Sequence, residues 1–152
     1  MFVSSSTLSS TTSARSQATF PAASGPIVLL GRILFVLIFV NAGPRLLWGQ
    51  AVAFAVSQGV PMASIAVPIA GFLALAGGLS ILLGYRAKIG AWLIALFLIG
   101  VTPMMHKFWV ISDPMRYQLQ LATFMRNVSM LGGALLISQF GAGPWSLDAR
   151  RK

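Results

Sequence analysis

Four apolar stretches, near 27–49, 61–84, 89–105 and 115–140, occupy most of this chain. Each is close to the roughly 20 residues a helix needs to cross a hydrocarbon core of about 30 Å. Lipid is therefore the solvent against which every other residue must be read. Inside a bilayer the backbone has no water to bond, so a spanning segment is either a helix or a strand of a closed barrel. The stretches are uniformly apolar and lack the strict alternation of barrel strands. The sequence predicts an all-α fold: a polytopic membrane four-helix bundle with short loops and a flexible N-terminal tail. Hydrophobic residues make up 57% of the 152 and charged residues 9%, which leaves little chain for a soluble catalytic domain.

The charge balance sharpens this reading. Eleven Lys and Arg face two acids, for a net charge of +9. In a soluble protein that excess would suggest nucleic acid. Here the basic residues lie mostly at span ends, where they can meet anionic headgroups, so no nucleic-acid partner is expected. The chain has no cysteine and one histidine. That excludes disulfides, thiolate catalysis, iron–sulfur ligation, covalent haem attachment and bis-histidine haem within this chain.

Along the chain, residues 1–26 form a Ser/Thr-rich polar segment with a single Arg and no acid. It reads as a disordered tail or as an organelle transit peptide. Residues 27–148 carry the spans, and 149–152 form a basic end. Residues 50–60 are mildly apolar and are expected to lie along the interface. In the second span Ala66, Ala70, Ala74 and Gly78 recur at four-residue spacing, a small-residue face on which another helix can approach closely. Asp113-Pro114 reads as a helix N-cap followed by Pro at the first helical position. Gly141, Gly143 and Pro144 read as the end of the fourth helix. With four spans both termini share a side with the turn at Gly84–Lys88. That side holds seven basic residues and the other four, which places both termini in the cytoplasm or its equivalent.

Polar residues that persist inside spans are the candidate site, because lipid makes them costly. On the fourth helix Arg116, Gln120, Thr123 and Asn127 fall on one stripe, with Arg126 beside it. The stripe either fixes the bundle by interhelical hydrogen bonds or lines a cleft for a polar headgroup, of a quinone or a lipid. His106 ends the third span at the same membrane face, as an interfacial hydrogen-bonding residue or a headgroup contact. Arg126, Asn127, His106 and Thr123 are thus the candidate headgroup contacts. Arg32, Asp148, Ala70, Ala74 and Gly78 are candidate structural residues, with a salt bridge expected from Asp148 to Arg32 or Arg86. No metal site, no paired carboxylates and no nucleophile with a base appear.

Several short motifs occur in order: Gly31-Arg32, Gly77-Gly78 with Leu83-Gly84, His106-Lys107-Phe108-Trp109, Arg126-Asn127 with Leu131-Gly132-Gly133, and the closing run Gly141 to Asp148. Together they resemble the DoxX family of small four-helix membrane proteins, over about residues 27–148. The resemblance implies a bundle in the bacterial cytoplasmic membrane, or an organelle membrane, and other integral membrane subunits as partners. One place departs from it: many members have a Glu where this chain has Ala74, which argues against proton or substrate chemistry there. The leading expectation is a non-catalytic accessory subunit of an electron-transfer or oxidoreductase complex, bordering a quinone or lipid headgroup. The alternatives are an assembly or trafficking factor for client membrane proteins, and a small anion carrier.

Overall fold

The computed structural model describes residues 24–151, and the reading of the N-terminal tail falls largely outside that range. Five α-helices follow one another: α1 Ser24–Leu46, α2 Gly49–Ser57, α3 Ala63–Leu83, α4 Ala87–Met105 and α5 Pro114–Phe140. Short 3-10 turns lie between α4 and α5 at Phe108–Val110 and after α5 at Ala149–Arg151. Among the described residues the fold is all-α, and α1, α3, α4 and α5 are each long and apolar enough to cross a membrane. The mildly apolar segment after the first span folds as the short helix α2, too short to cross.

Packing follows chain order. α1 lies against α3, α3 against α4, and α4 against α5. Small residues make these approaches possible, which matters because lipid offers no hydrophobic drive for helices to associate. Gly77 and Gly90 meet face to face: a Cβ on Gly77 would stand 2.8 Å from the Gly90 carbonyl oxygen, and one on Gly90 2.9 Å from that of Gly77. Between α1 and α3, a Cβ on Gly43 would stand 2.9 Å from Leu75 Cβ, and one on Gly71 3.0 Å from the Gly43 carbonyl oxygen. α1 and α5 instead meet through a side chain, the Phe35 ring over Gly133. Val36, Phe39, Ala74, Ile81, Ile94, Leu98 and Ala134 form the buried core, with Phe39 and Phe97 edge to face at 6.2 Å.

Both ends of the described chain lie on one side, here the terminal end. α3 stops at Gly84, whose φ of 65° suits glycine, and α4 begins after Arg86 at φ 48°. The segment after α5 closes over this turn. Leu147 N–H donates to the Leu83 carbonyl (3.3 Å) and Asp148 N–H to the Gly84 carbonyl (2.8 Å). The Asp148 carboxylate accepts from the backbone N–H of Arg86 (2.8 Å) and Ala87 (3.0 Å). It thus caps α4 from a distant part of the chain, using donors that a helix start leaves unpaired. The expected salt bridge to a guanidinium is not what forms, because the exposed N-terminus of α4 presents the nearer donors. Arg32 is buried and donates from Nη2 to the Trp145 carbonyl at 2.7 Å.

At the far end, Asp113 caps α5 by accepting from Arg116 N–H at 2.8 Å, with Pro114 in the first helical position. Lys107 Nζ donates to the Gln58 carbonyl at 3.1 Å, tying the end of α4 to the end of α2. Phe108 packs edge-on against Trp109, Tyr117 and Phe124, an aromatic group at the level where such rings favour the membrane interface.

Candidate functional site

The residues expected to share one headgroup cleft are distributed over different surroundings. His106 Nδ1 lies 2.8 Å from Gln120 Oε1, within hydrogen-bond distance of an amide oxygen that can only accept. Thr123 donates its hydroxyl back to the Leu119 carbonyl on its own helix at 2.9 Å. Asn127 is buried, and Met130 and Ala134 continue its line into the core. Arg126 is exposed on another side of α5. Adjacent residues on a helix point about 100° apart, and here Arg126 faces outward while Asn127 faces the core. Ala74 and Gly78 are buried, Gly78 facing Phe39 and Val40 of α1, while Ala70 lines an apolar cavity between α3 and α4.

The geometry draws attention to the outward face of α5. The most apolar 18-residue window of this helix has a mean hydropathy of 1.3, against 1.8 to 2.2 for the other spans. Gln118, Ala122, Met125, Ser129, Gly132 and Leu136 alternate at four- and three-residue spacing, and all are exposed. That is the spacing of a helix seam that receives another helix at a shallow crossing angle. A Cβ placed on Gly132 meets no atom within 4 Å, so this glycine is not explained by packing within the chain. The stripe drawn from the sequence through Gln120 and Asn127 is the opposite, inward-facing line. The 4-3 repeat, with Ala122, Ser129 and Gly132 as its small members, could have been read from sequence, but nothing local says which side of α5 the rest of the chain covers.

Arg126 stands beside this seam. At roughly 1.5 Å per residue it lies about 18 Å from Pro114 and about 21 Å from Phe140, close to mid-span. The chain cannot neutralise it from within. Its only acids are Asp113 and Asp148, and both are occupied as helix caps at opposite ends. Among the described residues no group of three or more His, Cys, Asp or Glu could hold a metal ion.

Fold and composition together define an integral membrane protein of four spanning helices with an uncovered seam along α5. A family model described as the SURF4 family matches residues 21–152, and the chain belongs to that family. Among its relatives, inner membrane protein YphA of Escherichia coli (strain K12) is 31% identical over 133 residues, covering 86% of this chain and 94% of the relative. Inner membrane protein YqjF of the same organism is 30% identical over 127 residues, 80% of this chain and 88% of the relative. The ER-derived vesicles protein ERV29 of Saccharomyces cerevisiae (strain ATCC 204508 / S288c) is 28% identical over 130 residues, 86% of this chain but only 35% of that longer protein. No solved structure matches.

These matches correct the resemblance drawn from short motifs. The chain is a SURF4-family protein and not a DoxX protein, and the expected oxidoreductase complex and quinone lose their basis with it. The physical reason lies in what those motifs do. Gly77 permits a close helix crossing, Gly84 ends α3, and Asp148 caps α4. Such needs arise in any small bundle of four membrane helices, so the motifs report architecture rather than descent.

Proposed function

We propose that this chain is a trafficking or assembly factor that binds client membrane proteins through the outward face of α5, and acts by binding rather than catalysis. The carrying observation is Arg126: a mid-span cation, exposed to the bilayer, with both of the chain's acids committed elsewhere. On insertion scales an Arg at the centre of a span costs about 3 kcal/mol. A client helix bearing a carboxylate or another strong acceptor at the same depth relieves that cost, while the 4-3 seam gives it a surface to lie on. A second copy of this chain cannot supply the acid, since its two aspartates are capped in the same way. Support also comes from family membership and from the relative whose name places it with ER-derived vesicles. The E. coli relatives favour a bacterial cytoplasmic membrane, and with Arg126 counted as mid-span the remaining basic residues, seven at the terminal end against Arg45, Lys107 and Arg116 at the other, favour both termini inside. The partners are then transient and varied rather than one fixed subunit.

The chain has no cysteine, so a single introduced thiol is a unique crosslinking handle. With Gly132→Cys in native membranes, crosslinks should form to other membrane proteins whose spans carry an acid or strong acceptor near the centre. Adding Arg126→Leu should abolish those adducts without changing thermal unfolding in detergent. Crosslinks only to lipid or to a second copy, or adducts indifferent to Arg126→Leu, would remove the proposal's support.

A further inference from the structure

A cavity of about 280 Å³ lies at the far end between α2, α3 and α4. Its walls are apolar, with Leu73, Phe97 and Val101 among the inner ones. Phe54, Ile69, Leu96, Gly100 and Met104 also line it, and all are exposed, so it opens sideways toward the bilayer. With almost no polar lining it offers water none of the two to four partners a bound water needs. Its depth is informative. On α3 it reaches Leu73, about 15 Å from the start of the helix at Ala63, and on α4 it runs from Leu96 to Met105. That is one leaflet of a core about 30 Å thick.

The rim carries charge of one sign. Lys107 follows Met105 by two residues, and its ammonium is held in place by the Gln58 carbonyl at 3.1 Å. An ammonium has three donors, so two remain. Arg45, next to the lining residue Leu46, is exposed. The only acid at this end is Asp113, engaged by Arg116 N–H. The geometry points to a phospholipid site: an acyl chain of an anionic lipid in the far-end leaflet fills the cavity beneath α2, and its phosphate meets Lys107. The site is separate from the α5 face and does not depend on it. Since lipid tails are as apolar as the walls, seating the chain gains contact packing alone; preference for one lipid over another comes from the headgroup charge.

Native mass spectrometry of the purified full-length chain, titrated with phosphatidylglycerol and phosphatidylcholine of matched chains, tests this. Wild type should retain phosphatidylglycerol over phosphatidylcholine by about fivefold. Gly100 lines the cavity, and a Cβ there meets nothing within 4 Å. Gly100→Phe should therefore fill the lipid's space and lower retention of both lipids by about tenfold, with unchanged thermal unfolding. Lys107→Gln should keep phosphatidylcholine retention and erase the preference. Equal retention of the two lipids by wild type would overturn the proposal. So would wild-type lipid retention in Gly100→Phe.

Discussion

At the scale of single residues, the two aspartates show why acids are so few and so placed. Each accepts backbone N–H groups at a helix start: Asp113 locally, and Asp148 across 62 positions of sequence for Arg86 and 61 for Ala87. Both sit at helix ends, where water and headgroups lessen the cost of charge, and where the positive end of the helix dipole favours a carboxylate. An N-cap is worth about 1 kcal/mol and up to about 2. Asp148→Ala should destabilise the protein by that amount in thermal unfolding in mild detergent. Asp148→Asn, which keeps one acceptor oxygen but not the charge, should fall between. If Asp148→Ala unfolds like wild type, the carboxylate holds nothing. Arg86→Leu should matter far less than either, because it is the backbone N–H of Arg86, not its guanidinium, that Asp148 receives.

At the scale of elements, the same residue type does opposite things on different helices. Gly77 on α3 stands against the α4 backbone, where a Cβ would come within 2.8 Å of a carbonyl oxygen. Gly132 on α5 faces open space. Gly77→Ala should force the helices apart and cost about 1–3 kcal/mol, as overpacking does. Gly132→Ala should not destabilise, and its better helix propensity contributes up to about 1 kcal/mol in the stabilising direction. Equal effects on thermal unfolding would mean that α5 is covered as closely as α3. This pair also marks how far the sequence could be read. The spans were legible because length and apolarity suffice to define them, and the cap at Asp113-Pro114 because its chemistry is local. The candidate site was legible only as a list of polar residues. Which of Arg126 and Asn127 faces inward depends on how α5 is rotated against α4, and that rotation is a property of the two helices packed together rather than of α5's own sequence. The contact from Asp148 to α4 was hidden because its donors are backbone groups, which no residue type advertises.

At the scale of the whole molecule, helices packed in sequence from α1 to α5 need something to close the ends, since α1 and α5 meet mainly through Phe35 and Gly133. The segment after α5 supplies the closure at the terminal end. It gives Arg32 of α1 its acceptor at Trp145, pairs with the end of α3 at Leu83 and Gly84, and caps α4 through Asp148. Gly84 is squeezed between Arg32 and Ser146, so the three parts come together at one point. Arg32 makes this closure obligatory. Its Nε and Nη1 are buried without partners, and the single bond from Nη2 is what the segment provides. Removing residues 145–152 would take away the acceptor of the Arg32 guanidinium, and a hydrogen bond made by a charged group contributes about 1.5–3 kcal/mol. The truncated chain should therefore unfold at a much lower temperature, or fail to accumulate in membranes. Adding Arg32→Leu to the truncation should recover a large part of that loss, because it removes the stranded charge. In the full-length chain the same substitution should not stabilise, since it discards the bond to Trp145. Fluorescence-detected size exclusion over a temperature series measures all four chains. A truncated chain that gains nothing from Arg32→Leu would show that the segment holds the bundle through its backbone alone, and that Arg32 is a passenger in the closure.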